Sequence, residues 1–411
     1  MPVLTNLVLG SWTRENAFKT IQHDLHRQRR NQLKPFFSKA SVRTLEPLII
    51  KKVDRLCDRL EGERGITSLT YASVALTVDI ISRVCFGESY DYLENEHFAR
   101  DWYTSMVSSS RNGPLVRQFP WIHQVLAHFP GLGPRRAREG MAADQARMRK
   151  LKHNIAGVLD RRSRGEKPAD DAFTIFDSML DADVPAPEKS YLRLLSEAQA
   201  LTGAGAMTTA NVLDTTFYHL LANPAYIARL RVELCSAIPD PAVMHSVAEL
   251  EALPYLTAVL HEGLRLSKGV PHRFARVSPD VSYRYGDVVI PRGVPVGISF
   301  MDFLERPDLF PDPDTFDPER WMPFDAPHVH RRRKSLVVFG AGTRMCLGLN
   351  LAWAELYLTV AAVVRRLGDR LRMHDVVFER DIKITVDGFN ALTSRESKGL
   401  RVLIEPRGTA I

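Results

Sequence analysis

Apolar residues recur every three or four positions along much of the first two-thirds of the chain, a spacing that places them on one face of a helix. Helices are predicted within the basic stretch 22–38, where Pro35 marks the helix end, and over residues 45–61, 70–86, 140–162, about 188–223, 249–267, and from just after Cys346 to about Leu367. The fifth of these is unusually long, and Pro224 ends it because proline cannot continue a helix.

The pattern changes after residue 280. Residues 281–300 alternate between apolar and polar positions around a turn at 291–293, and the tail 371–405 also indicates short strands. Segment 113–134 is predicted to be irregular, and segment 304–335 to form a long ordered loop. Because no flexible linker divides the chain, we expect a single domain over 1–411, mainly α with a small β region.

Composition narrows the possible functions. The 411 residues are 45% hydrophobic and 25% charged, with a formal net charge of +7, an ordinary globular balance. The basic residues are scattered rather than gathered into one tail, which does not favour a nucleic-acid partner. No run of about 18 apolar residues is present, so no membrane span is expected.

The four cysteines are not equivalent. They include no CxxC pair, which disfavours a zinc site or a disulfide framework and fits a reducing compartment. Cys57, Cys85 and Cys235 lie in apolar, helical stretches and are expected to be small buried hydrophobes. Cys346 differs, because glycines and an arginine surround it.

The segment FGAGTRMCLG at 339–348 is the most informative about function. A cysteine thiolate can hold heme iron and donate electron density that favours O–O cleavage. Such a sulfur needs a tight loop with free backbone N–H groups, which Gly342 and Gly348 permit. Arg344 can pair with a heme propionate, and Phe339 can shield the sulfur from water. A buried structural cysteine beside a glycine turn is the alternative interpretation.

This FxxGxRxCxG segment resembles the heme-binding loop of the cytochrome P-450 family at all five defining positions, and the resemblance extends over about residues 15–405. It implies the mainly helical heme-thiolate fold, with heme b (iron protoporphyrin IX) as cofactor and Cys346 as the iron ligand. It also implies cofactor contacts for Phe339, Gly342, Arg344 and Gly348.

A second segment, GAGAMTT at 203–209, lies inside the long predicted helix. Glycines cost a helix up to about 1 kcal/mol each, so they indicate either close helix packing or passage over a flat cofactor. The family usually has an acid before the first threonine, but this chain has Met207, and a thioether cannot relay a proton. The segment otherwise resembles the family's oxygen-binding helix, which implies pocket positions for Ala204 and Gly205 and catalytic roles for Thr208 and Thr209.

Further motifs match the family. Glu262 and Arg265 form an ExxR pair on one helix face, although Glu61 and Arg64 show the same spacing by chance. Together with the PERW motif at 318–321, the resemblance implies a buried structural network of Glu262, Arg265 and Arg320. It also implies that propionates are bound by His26, Arg30 and Arg276. A solvated basic helix face is the alternative for the first two of these.

The resemblance implies a monooxygenase that inserts one oxygen atom from O2 into a small apolar substrate, a fungal secondary metabolite such as a terpenoid or polyketide intermediate. An NADPH-cytochrome reductase would supply two electrons, and the basic run 331–334 is either its docking patch or solvated surface. Two alternatives stay open: a heme-thiolate isomerase or dehydratase without O2 and reductase, and a catalytically silent heme-binding remnant.

Family members usually begin with a further segment that contains an endoplasmic-reticulum anchor, a first helix and the first strands. This chain starts just before the basic stretch, so we expect a fold without those elements. The strands near 281–300 and 385–404 would then have open edges. An intracellular location is expected, with no anchor in this chain.

Overall fold

Helices build most of the protein. The computed structural model describes residues 15–119, 121, 135–166, 174–240, 243 and 245–406. Its helices are α1 (His23–Leu33), α2 (Lys39–Gly62), α3 (Leu69–Phe86), α4 (Arg100–Gln118), α5 (Arg135–Ser163), α6 (Ile175–Asp181), α7 (Tyr191–Ala222), α8 (Pro224–Ala237), α9 (Val247–Glu251), α10 (Pro254–Leu266), α11 (Phe300–Leu304), α12 (Pro327–Ser335), α13 (Leu349–Leu367) and α14 (Phe378–Asp381).

Short antiparallel strands form four small sheets within the described ranges. They are β1 (Thr67–Ser68), β2 (Phe274–Val277), β3 (Tyr283–Tyr285), β4 (Val288–Ile290), β5 (Pro295–Ile298), β6 (Leu371–Met373), β7 (Val386–Gly388), β8 (Asn390–Leu392) and β9 (Arg401–Ile404). β9 lies between β1 and β6, whereas β2 pairs with β5, β3 with β4 and β7 with β8. The mainly helical fold with a small β region is therefore confirmed.

α3 and α7 pack against each other in the core. α3 is apolar on nearly every face, and residues such as Leu76 and Ile80 are completely buried. Among the described residues it is the one helix long and apolar enough to cross a membrane, yet 89% of it is buried inside the protein. Burial in the protein core thus accounts for its composition.

α7 spans 32 residues between two capping residues. The side chain of Ser190 accepts a hydrogen bond from the Arg193 N–H at its start. At its end Asn223 caps α8, whose first position is Pro224, so the helix direction changes there. α7 also contacts α10 and α13, which brings segment 203–209 to the centre of the molecule.

Three predicted elements are corrected. The helix expected over 249–267 is interrupted because Pro254, which has no N–H, begins a new helix after Leu253. Residues 113–118 belong to α4 although Pro114 lies inside it, and most of the predicted irregular segment 113–134 lies outside the described residues. Segment 304–335 ends in α12, which starts at a proline that suits a first helical position. The single-domain organisation stays a prediction.

Candidate active site

A cavity of about 2450 Å³ lies beside α7. Its wall includes residues from segment 16–26, the middle of α7, the loop 338–348, the start of α13, and the segments around β2 and between β7 and β8. Pockets for drug-sized ligands span about 300–1,000 Å³. This cavity is therefore large enough for a flat macrocyclic cofactor together with a substrate.

Cys346 lies in a tight loop on the wall of this cavity. Gly340 and Gly342 adopt φ angles of 70° and 71°, in the left-handed region that favours glycine. The Cys346 N–H donates to the Phe339 carbonyl oxygen at 2.8 Å, which closes the loop. Gly342 is part of this turn rather than of the cavity wall, whereas Phe339 and Gly348 both line the cavity.

Cys346 is enclosed by protein on most sides and lines the cavity. The residue has accessible surface although protein atoms enclose it, because that surface faces the cavity. Burial raises the pKa of the thiol, while a hydrogen bond from the Gly348 backbone N–H and the charge of Arg30 lower it. A cation at the sulfur would favour the thiolate further. The donor therefore suits a soft metal such as heme iron.

Four basic side chains converge on the same cavity: His26 and Arg30 from α1, Arg276 from β2, and Arg344 from the cysteine loop. Burial lowers the pKa of each, and the neighbouring arginines help to lower the pKa of His26 to about 4. Among the described residues, no carboxylate acts on the pKa of the three arginines. Such a cluster fits an anionic ligand, and the two propionates of heme have the required charge.

Arg344 also makes contacts that the sequence did not predict. Its Nη1 donates to the Thr20 carbonyl oxygen at 2.6 Å, and its Nη2 donates to that of Ile21 at 3.0 Å. The side chain therefore ties the cysteine loop to the segment before α1. Its contact with a propionate stays a prediction.

α7 presents small residues and hydroxyl groups to the cavity. Thr208 donates its hydroxyl proton to the Ala204 carbonyl oxygen at 2.8 Å, one turn earlier. Thr209 is more deeply buried, and it acts on the pKa of the Glu355 carboxyl on α13. The predicted residues that line the cavity on this helix are Ala204, Gly205, Thr208 and Thr209.

Two positions on α7 bear on the alternatives that the sequence left open. A Cβ atom on Gly205 would lie 3.0 Å from Cγ1 of Ile81 on α3, so this glycine permits close helix packing as well as lining the cavity. Met207 is buried and lines a separate cavity of about 40 Å³, together with Asp214. The position that usually has an acid in the family thus faces away from the large cavity.

Glu262, Arg265 and Arg320 meet in one buried network outside the cavity wall. Arg265 donates to both Glu262 carboxylate oxygens, at 2.8 and 2.9 Å, and Arg320 Nε donates to Oε1 at 3.2 Å. The indole N–H of Trp321 donates to Oε2 at 2.9 Å, a contact that sequence reasoning missed. The network therefore supports the chain around the cavity and does not face a ligand.

Glu355 is a cavity residue that the sequence analysis did not single out. It is 1% exposed and lies on the cavity wall. Burial raises the pKa of its carboxyl well above the ordinary 4.5, and the Thr209 hydroxyl opposes that rise. The signal in the sequence was available, because Glu355 is the one charged residue in stretch 349–364.

The chain is similar to known proteins over nearly its whole length. A model described as cytochrome P450 matches residues 4–377. N-acetyltryptophan 6-hydroxylase ivoC of Emericella nidulans is 36% identical over 398 residues, 96% of this chain and 77% of that protein. Tryptophan 6-hydroxylase fscE of Fusarium equiseti is 36% identical, with 95% and 76% covered.

A third hydroxylase and a solved structure are also similar. Fusicoccadiene C-8 hydroxylase of Phomopsis amygdali is 35% identical, over 94% of this chain and 75% of that protein. The crystal structure of a cytochrome P450 superposes with a TM-score of 0.73 at 18% identity, over 98% of this chain and 84% of the other. At that identity, the superposition shows a shared fold.

Proposed function

The chain belongs to the cytochrome P450 family, and we propose that Cys346 is the thiolate ligand of the heme that this family contains. Its relatives are hydroxylases and monooxygenases of fungal secondary metabolism, and the chain is a monooxygenase of the same kind. The isomerase alternative is not favoured. The observation that carries the proposal for Cys346 is its sulfur, which shares one cavity with Ala204 and Thr208 of α7.

Different side chains on the cavity wall are proposed to bind different parts of the cofactor. His26, Arg30, Arg276 and Arg344 are proposed to bind the propionates, because they line one cavity wall, where the three arginines supply positive charge close to the His26 imidazole. Bound heme supplies the activation of O2 and the transfer of one oxygen atom to the substrate. Phe339 covers the cysteine loop, and its ring centroid lies 6.3 Å from that of Trp353, which helps to exclude water.

We expect Arg30→Ala and Arg276→Ala to weaken heme binding at least about tenfold each, because loss of one partner of a buried charge pair costs about 2 kcal/mol or more. The rate of heme transfer to apomyoglobin measures the effect. Arg27→Ala is the matched control, since Arg27 on α1 is exposed and is not part of the cavity wall. Equal transfer rates in all three variants would argue against the proposed propionate site.

We further propose that electrons come from an NADPH-dependent reductase that docks beside the cysteine loop. Arg331, Arg333 and Lys334 are exposed on α12, which precedes this loop. Arg332 instead turns inward and donates to two backbone carbonyl groups. The basic run therefore offers three cations to an acidic partner, which favours electrostatic steering.

The proposed substrate is an apolar, ring-containing metabolite, with an indole derivative as the first candidate and a terpenoid as the second. Phe18, His272, Phe274 and Phe389 form an aromatic cluster on the cavity wall, with neighbouring ring centroids 5.7–6.1 Å apart. Aromatic rings favour edge and offset contacts with flat ligands. One relative is named for 6-hydroxylation of N-acetyltryptophan, one for 6-hydroxylation of tryptophan, and one for C-8 hydroxylation of fusicoccadiene.

Turnover with a defined panel tests this function. The heme-loaded protein, a fungal NADPH-dependent P450 reductase, O2 and each of tryptophan, N-acetyltryptophan and fusicoccadiene are combined, and products are identified by mass. We expect at least one compound to shift the heme spectrum toward high spin and to gain one oxygen atom in an NADPH-dependent manner. If none of the three shifts the spectrum, the substrate class is wrong. Conversion of a hydroperoxide without NADPH would favour the isomerase instead.

An intracellular location is also proposed. Cys57, Cys85, Cys235 and Cys346 are all free thiols. Free cysteines without disulfides are usual in reducing compartments, which supports this location.

A further inference from the structure

The aromatic cluster on the cavity wall contains one ring with hydrogen-bonding atoms. The centroid of the His272 imidazole lies 6.1 Å from that of Phe274 and 6.0 Å from that of Phe389. All three rings line the cavity. Apolar pockets derive their specificity from a few polar groups at defined positions. The imidazole is therefore placed to orient a ring that packs in this cluster.

Asp387 determines which nitrogen of His272 is left for a ligand. Its Oδ2 lies 3.0 Å from Nδ1 of His272, and an ionised carboxylate can only accept, so Nδ1 carries the proton. His272 lines the cavity but Asp387 does not, which places the carboxylate behind the ring. No described residue hydrogen-bonds Nε2 of His272. In a neutral imidazole protonated at Nδ1, this second nitrogen is an acceptor.

The same carboxylate also holds the turn that carries Phe389. The Phe389 N–H donates to Oδ1 of Asp387 at 2.9 Å. Phe389 has a φ angle of 78°, in the left-handed region that bulky side chains rarely adopt. Strain of this kind persists where surrounding contacts impose it, and it is concentrated at ligand sites. One carboxylate thus positions both a ring that can pack against a ligand and a nitrogen that can hydrogen-bond it.

The turn is also fixed from its other side. The side-chain amide of Asn390 donates to Oγ of Ser110 on α4 at 2.8 Å. A Cβ atom on Gly388 would lie 3.0 Å from the Ser110 carbonyl oxygen, so the glycine allows the turn to lie close against α4. The position of Phe389 and Asp387 at the cavity is therefore set by contacts on two sides.

We propose that His272 is a specificity-determining residue whose Nε2 accepts a hydrogen bond from the ring N–H of an indole substrate. This inference rests on the proposed function. An indole has a flat ring for the aromatic cluster and one N–H in the plane of that ring, and this wall can bind both. A terpenoid hydrocarbon has no N–H, so its binding would leave Nε2 without a partner. The inference therefore selects the indole from the two proposed substrate candidates.

Three variants test this assignment. His272→Phe keeps an aromatic ring and removes both nitrogens. Asp387→Asn reverses the tautomer, because the Phe389 N–H still requires the amide oxygen, so the NH2 group faces Nδ1 and the proton moves to Nε2. His153→Phe is the matched control, since His153 is exposed on α5 and is not part of the cavity wall. The ligands are N-acetyltryptophan and its 1-methyl analogue, in which a methyl group replaces the ring N–H.

The spin-state shift of the oxidised heme measures both affinities at about pH 8, where an ordinary imidazole is neutral. We expect the parent and H153F to bind N-acetyltryptophan at least about tenfold more tightly than the 1-methyl analogue, because the analogue leaves Nε2 unpaired. H272F and D387N should lose this preference, since the first has no acceptor and the second presents an N–H to the ligand N–H.

The reduced, CO-bound spectrum is recorded first, and its thiolate band must be present in the parent and all variants. A parental preference for the ring N–H in H272F would show that the pocket excludes the methyl group by shape, and would overturn the assignment. Retention of the preference in D387N, its absence from the parent, or no spectral shift with either indole would do the same. A missing thiolate band in the parent would instead reject the proposed function.

Discussion

Cys346→Ser is expected to eliminate the red-shifted Soret band of the reduced, CO-bound protein and to lower monooxygenase activity at least about a hundredfold. A serine hydroxyl does not ionise near neutral pH and cannot donate electron density to iron as a thiolate does. The hydrogen bond from Gly348 would then meet a neutral oxygen rather than a thiolate. Absorption spectroscopy of the purified variant and NADPH-dependent turnover measure the two effects.

Cys235→Ser provides the matched control for this substitution. Cys235 is a free, half-buried thiol on α8 and is not part of the cavity wall. We expect its spectrum and turnover to equal those of the parent. A parental Soret band in the Cys346 variant would exclude this sulfur as the iron ligand.

The second large effect concerns stability. Glu262→Ala would leave Arg265 and Arg320 buried without their carboxylate, and removal of one partner from a buried ion pair costs about 3–5 kcal/mol. Trp321 would also lose its acceptor. We expect the free energy of unfolding to fall by about this amount, as measured by urea denaturation at neutral pH.

Glu61→Ala is the control, because Glu61 begins the other ExxR pattern of the chain. Its carboxylate lies 3.3 Å from Arg366 in a pair that is partly solvent-exposed. Surface pairs contribute about 0–1 kcal/mol, so this variant should lose at most about 1 kcal/mol. Equal losses in both variants would show that the Glu262 network has no special structural role.

The sequence predicted the elements of this fold better than their orientation. Apolar periodicity and proline positions located α3, α7 and α13, because these signals are local. The side on which a helical residue faces depends on packing, however, and so the sequence did not reveal that Met207 faces away from the cavity. The break before Pro254 follows from the preference of proline for the first position of a helix. The apolar periodicity alone did not indicate this break.

The candidate site shows the same division. The spacing within 339–348 singled out Cys346, and the basic stretch singled out His26 and Arg30, all of which line the cavity. Glu355 was missed because its significance depends on its position beside Thr209, which is distant in sequence. Contacts of this kind depend on how helices pack, and residue spacing along the chain does not encode them.

The link between Arg344 and Thr20 has a consequence for how the protein folds. These two residues are 324 positions apart. Contacts of such long range form slowly, since much of the chain must be ordered before they can close. We therefore expect the cavity to be completed late in folding, when the first described segment of the chain docks against the cysteine loop.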